Sequence, residues 1–135
     1  KKINEELLHW FLKSHFIPVI SPIGYDKNYD TYNINADTMS GSVASSISSE
    51  RLILLTDVEG VLDKKGNLLT EISLSEVKKL IKNGTISRGM IPKVATCVDA
   101  VTNGVEAAVI LNGKLPHAIL LEIFTERGVG TLITR

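Results

Sequence analysis

Two short runs with no polar residue, Leu52–Leu55 and Ala107–Leu111, constrain this chain most. Each is too short for a helix and shows no polar–apolar alternation, so each reads as a strand covered on both faces, as in a parallel sheet. The segments around them carry helical signals. Asn4 is predicted to cap a helix through Ser14, with Glu5 and Glu6 in its first turn and Leu7, Leu8, Phe11 and Leu12 as its stripe. Phe16–Ile20 reads as a strand broken by Pro22 and Gly24, and Tyr25–Tyr32 as a surface hairpin or loop. Asn35 or Asp37 starts a helix with Ala36, Met39, Val43 and Ile47 at helical spacing, although its serines weaken it. Ser73 with Glu76 makes a capping box for a helix to Asn83, and Lys64–Asn67 is a turn before it. Pro92 suits the first turn of a helix to Asn103 with Val94, Val98 and Val101 inward. Pro116 is expected to open a last helix through Phe124, whose Leu120, Leu121, Ile123 and Phe124 face the core, before a strand at Thr131–Ile133. Strands alternating with helices predict an α/β layered domain with a mostly parallel sheet.

Composition narrows the partners. The 135 residues suffice for one core, and 15 basic residues balance 15 acidic ones, so no net field points to nucleic acid or an anionic membrane. No apolar run approaches the ~18 residues of a membrane span. The lone Cys97 cannot form an internal disulfide and falls on a buried helix, which suits a reducing, cytoplasmic setting. His9, His15 and His117 have no ligand spacing, so no metal site built from side chains is expected. Ser45, Ser46, Ser48 and Ser49 have no adjacent histidine, which removes a serine-hydrolase reading.

Three polar segments carry candidate chemistry. Asn33, Asn35 and Asp37 lie where an extended run becomes a helix, the place where open α/β sheets bind ligands. The two amides can hold an anionic acceptor and Asp37 can orient an ammonium group; a plain helix cap with an Asx turn is the alternative. The stretch Asp57, Val58, Glu59, Gly60, Val61 and Leu62 follows a buried strand, where Gly60 lets backbone approach a ligand. No Gly-Lys-Ser/Thr follows, so it is not a Walker phosphate loop, and an ordinary strand-to-turn connection is the alternative. The third segment, Gly84–Lys93, joins two helices; its Thr85, Ile86 and Ser87 can wrap a nucleotide, and Lys93 lies just inside the next helix. A cation there would stabilise a phosphoryl group in transfer, whereas most helical lysines are solvated charges.

At these residues the sequence resembles the acetylglutamate kinases of the amino acid kinase family. The resemblance runs from about Phe16 to Thr131, through Pro18–Gly24 (PVISPIG), Tyr32–Asp37 (YNINAD), Leu55–Asp63 (LTDVEGVLD), Gly84–Lys93 (GTISRGMIPK) and Pro116–Thr125 (PHAILLEIFT). It implies a three-layer sandwich with a mainly parallel sheet flanked by helices, and an enzyme that uses ATP to phosphorylate the side-chain carboxylate of N-acetyl-L-glutamate in arginine biosynthesis. By the same resemblance Lys93 and Asp37 are catalytic, Asn33 and Asn35 bind substrate, and Asp57–Leu62 with Thr85–Ser87 line the ATP site. Mg²⁺ would come with ATP, held largely by its phosphates. Glu122 and Gly128 resemble part of an L-arginine effector pocket, against a core helix with a turn as the alternative. A homo-oligomer is expected of the full-length enzyme.

The family pattern opens with a lysine- and glycine-rich phosphate loop, and nothing before Asn33 matches it. Together with Lys1 in place of methionine, this predicts a fragment, inactive by itself. Residues about 1–35 would be the end of an acceptor-binding half and about 36–135 an ATP-binding half. The alternatives are another amino acid kinase, such as a glutamate kinase, or a non-catalytic nucleotide- or arginine-binding module.

Overall fold

Asn4, Asn35 and Ser73 start helices by the same chemistry, each side-chain oxygen accepting a backbone N–H three residues on. The distances are 3.1 Å to Leu7, 3.1 Å to Thr38 and 3.3 Å to Glu76. In the last case the Glu76 carboxylate returns to accept from the Ser73 N–H at 2.8 Å, completing the capping box. These caps open α1 (Glu5–Lys13), α2 (Ala36–Ser46) and α3 (Leu74–Lys82). The computed structural model describes residues 3–86 and 89–135.

A two-stranded antiparallel hairpin, β1 (Ile23–Tyr25) with β2 (Thr31–Asn33), leads into α2. The main sheet consists of β3 (Arg51–Thr56), β4 (Glu71–Ser73), β5 (Ala107–Asn112) and β6 (Thr131–Thr134), in the order β3-β5-β6-β4. β3 and β5 are parallel, as are β4 and β6, and β6 runs against β5. Helices α4 (Ile91–Thr102) and α5 (Ala118–Phe124) complete the chain of elements.

Alternation along the strands divides the core into two layers. Leu52, Leu54, Ala108, Ile110 and Ile133 join Ala44, Val77, Val94, Cys97 and Val101 on the face covered by α2, α3 and α4. Val109 and Leu111 pack with Ala118 of α5, and with Ile53 and Leu132, on the other. The expected three layers are therefore present, and the sheet is mainly parallel.

Four local expectations are corrected. Phe16–Ile20 is not a strand: it has no ladder partner among the described residues, and Ile17 and Val19 are 90% and 96% exposed. An apolar β-branched run becomes a strand only when another backbone satisfies its hydrogen bonds. β3 is not covered on both faces, because it lies at the sheet edge and Leu55 is half exposed. The last helix begins at Ala118 rather than Pro116, after His117 in a left-handed conformation with φ 59°. Its Leu120, Ile123 and Phe124 face outward, and Leu121 is only partly covered. The inward positions, one turn apart, are Ala118 and Glu122.

Candidate functional site

The chain leaves the carboxyl end of β3 in the 57–62 loop. Because α2 precedes β3 and α4 precedes the parallel strand β5, both helices begin at that same edge of the sheet. Their first turns meet there. Lys93 Nζ donates to Asp37 Oδ2 at 2.9 Å and to Oδ1 at 3.2 Å, with about a quarter of each side chain exposed. One turn further along, the helices approach so closely that a Cβ on Gly41 would lie 2.7 Å from Thr96 Cγ2. A larger residue at position 41 would have to displace the Thr96 side chain or α4 itself.

Electrostatics make this placement informative. A cation in the first turn of a helix is opposed by the helix dipole, and α4 has no acidic residue in its first turn to offset it. Asp37, coming from the neighbouring helix, supplies the missing carboxylate. The N-cap of α4, Met90, gives no side-chain cap, so the first N–H groups of that helix are left by it for another acceptor. Behind the pair, Cys97 is fully buried one turn beyond Lys93. Burial pushes its thiol up to about 12; the Asp37 carboxylate adds to the rise and the Lys93 ammonium opposes it.

The remaining candidates, Ser87 apart, have definite places. Asn33 ends β2 and is exposed, just before α2. Asn35 is occupied as the cap of α2, its amide oxygen also lying 3.4 Å from the Thr38 hydroxyl. That cap leaves Asp37 inside the helix, aimed at Lys93. In the 57–62 loop, Asp57, Val58 and Glu59 are exposed, with the Thr56 hydroxyl donating to Asp57 Oδ1 at 3.3 Å. Gly60 and Val61 turn inward and Leu62 bridges to Leu68. Thr85 is partly exposed, Ile86 is buried, and Ser87 lies outside the described residues. Val61 and Ile86 join one core cluster with Val94 of α4, so the two glycine-flanked segments share a face of the sheet. The Val61 and Ile86 side chains therefore belong to the core, while Asp57, Val58, Glu59 and, in part, Thr85 are open to solvent.

Gly60 has φ 153°, and a Cβ there would meet Thr131 Oγ1 at 2.6 Å, Leu68 at 2.8 Å and the Ile110 carbonyl oxygen at 3.2 Å. Thr131 is therefore part of the site's foundation, a residue that the sequence marks as the start of a strand and the end of the family resemblance, not as part of the site. Its signal is a hydroxyl at the head of an apolar strand directly after a glycine.

Glu122 and Gly128 are brought together, although differently from a free effector carboxylate. Glu122 is buried, and its Oε2 accepts from the N–H groups of Val129 at 2.8 Å and Gly130 at 3.1 Å. A Cβ on Gly128 would lie 2.5 Å from that same oxygen. The carboxylate braces the turn that leads into β6. Among the described residues no three His, Cys, Asp or Glu side chains gather into a metal-holding group. No described helix is long and apolar enough to cross a membrane.

The acetylglutamate kinase of Bartonella tribocorum is 58% identical over 132 residues, 98% of this chain and 44% of that protein. That of Parvibaculum lavamentivorans is 54% identical over 135 residues, 100% of this chain and again 44% of the relative. The chain thus spans less than half the length of the curated relatives it matches. Among solved structures, N-acetylglutamate synthase from Neisseria gonorrhoeae, complexed with coenzyme A and L-arginine, superposes with a TM-score of 0.93 at 28% identity, covering 99% of this chain and 31% of that one. Carbamate kinase from Giardia lamblia bound to AMP-PNP shares the fold, with a TM-score of 0.73 at 20% identity over 98% of this chain and 44% of that one. The family model described as the amino acid kinase family matches residues 1–112, and the chain belongs to that family.

Proposed function

We propose that this chain is the nucleotide-binding part of an acetylglutamate kinase. Residues about 1–35 close its acceptor-binding half and residues about 36–135 form the ATP-binding half. The observation that carries the reading is the Lys93–Asp37 pair at the meeting of two helix N-termini. A carboxylate oxygen of N-acetyl-L-glutamate attacks the γ-phosphorus of ATP, the bond to the β–γ bridging oxygen breaks, and ADP leaves as the acyl phosphate forms. The reaction needs no protein nucleophile; it needs alignment and a positive charge where negative charge spreads in transfer. Lys93 supplies that charge, and Asp37 holds the ammonium in place without consuming it. The N-terminal N–H groups of α4, which Met90 does not cap, add donors of the same sign.

Asn33, exposed at the end of β2 just before α2, holds the acceptor, while Asn35 contributes mainly by fixing the start of α2. The exposed Asp57–Glu59 stretch and the Thr85 turn receive the nucleotide. Mg²⁺ arrives with the nucleotide, held largely by the ATP phosphates. The setting is the cytoplasm, and the full-length enzyme is a homo-oligomer.

The test is ATP-dependent acyl phosphate formation by the full-length enzyme, trapped as the hydroxamate, with N-acetyl-L-glutamate against L-glutamate. Turnover restricted to the acetylated substrate, and lost in Lys93→Ala, supports the reading. Preference for free glutamate makes it another amino acid kinase. The likeness to an arginine-complexed synthase favours one second reading, a non-catalytic arginine-binding module. Saturable arginine binding with no hydroxamate from any acceptor would establish that reading instead.

A further inference from the structure

Val61 is 2% exposed, and its N–H donates to Thr131 Oγ1 at 2.8 Å across 70 positions of sequence. The Val61 carbonyl accepts from the Leu69 N–H at 2.9 Å. Both backbone groups of this residue are thus held, while Asp57, Val58 and Glu59 beside it project into solvent. Gly60 lies flat on the threonine, since a Cβ there would come within 2.6 Å of the hydroxyl oxygen. Thr131 has almost no freedom of its own. It is fully buried, pairs with Ile110 across the β5–β6 ladder, and follows a turn whose two N–H groups are bound by Glu122.

We infer that Thr131 is a positioning residue for nucleotide binding: its hydroxyl fixes the 57–62 loop against the sheet edge so that the exposed part of the loop meets the nucleotide in one conformation. The inference rests on the proposed reading of 57–62 as nucleotide contacts. Ordering a loop in advance removes that cost from binding, and a buried N–H left without an acceptor favours other loop conformations.

The test compares Thr131→Val with Thr131→Ser in the full-length kinase. Valine fills nearly the same space but leaves the Val61 N–H without an acceptor. The expected result is an increase of about 10-fold in KM for ATP. KM for the acceptor should be unchanged, and serine should restore wild-type behaviour. A wild-type KM for ATP in Thr131→Val overturns the inference, as does an equal rise in both KM values that serine does not correct. Amide hydrogen exchange on the wild-type enzyme gives an answer even if Thr131→Val does not fold. The Val61 amide should exchange as slowly as those of β5, with Asp57–Glu59 fast; a Val61 amide as fast as its loop neighbours overturns the inference. A wild-type enzyme with no saturable dependence on ATP would overturn the nucleotide reading itself, an outcome distinct from an unaffected valine variant.

Discussion

Lys93 and Asp37 are 56 positions apart in sequence, yet both carboxylate oxygens of Asp37 lie within 3.2 Å of the Lys93 ammonium. Partly exposed ion pairs of this kind contribute only about 0–1 kcal/mol to stability. Stability alone is a weak reason to place a lysine against the dipole of its own helix. A fixed positive charge at the edge of the sheet, held by a partner that leaves its donors partly open, is a better one.

Lys93→Ala in the full-length enzyme should lower kcat by about 10²–10³ and change KM for ATP far less, because the charge matters most while the phosphoryl group is in flight. Asp37→Asn should lower kcat as well, by releasing the ammonium. Steady-state kinetics decides both, and an unchanged kcat in Lys93→Ala would return this residue to an ordinary surface lysine.

Gly41→Ala tests the helix contact without touching either charge. In an exposed helix interior this change gains about 1 kcal/mol from propensity. Here the new methyl would sit 2.7 Å from Thr96 Cγ2, so either the Thr96 side chain turns out of its place or α2 and α4 separate. We expect a lower Tm despite the better helix former, together with a fall in kcat as the ion pair is stretched. A raised Tm with normal turnover would mean that the Thr96 side chain takes up the clash and the helices stay in place.

Cys97 should resist thiol reagents at pH 8 and react only through opening of the structure. Its folded pKa, raised to about 12, lies above the ordinary thiol value of about 8.5. The neutral thiol therefore supports the fold fully below about pH 8.5, and that support fades as pH rises toward 12. Labelling rates against pH, and Tm of wild type against Cys97→Ala above pH 9, measure the two effects.

Glu122→Ala removes the acceptor for two backbone N–H groups of the turn before β6, at a cost of about 1–3 kcal/mol for each group left buried and unpaired. Tm should fall accordingly. If the turn belongs to an arginine site, the inhibitory midpoint for arginine should also move to higher concentration in the full-length enzyme. A reduced Tm with an unchanged arginine response would leave Glu122 as a brace of the fold alone.

What could be read from the sequence was local chemistry. The capping box at Ser73 and Glu76, the cap at Asn4, Pro92 in the first turn of α4 and the buried run of β5 each lie within a few residues of the groups that cause them. Phe16–Ile20 was over-read because its composition favours a strand, while strand formation depends on a partner backbone. The last helix was misjudged because nearly every residue from Ala118 to Phe124 is apolar, so no face is marked, and the buried carboxylate of Glu122 breaks the rule that charge faces water. Nothing local joins Asp37 to Lys93; that expectation came from resemblance to a family. The Thr131–Val61 bond spans 70 positions and depends on β6 running against β5, a direction that residue alternation does not encode.

The reversal of β6 also separates two ends of the molecule. Thr131 opens the strand beside the loop that leaves β3, whereas Arg135 follows its last residue at the far rim, where its guanidinium donates to the Val101 carbonyl at 3.4 Å. A fluorophore, affinity handle or surface tether attached at residue 135 would therefore emerge on the opposite rim from Lys93, clear of the ion pair it forms with Asp37. Were β6 parallel to β5, the same attachment would emerge on the rim of that pair.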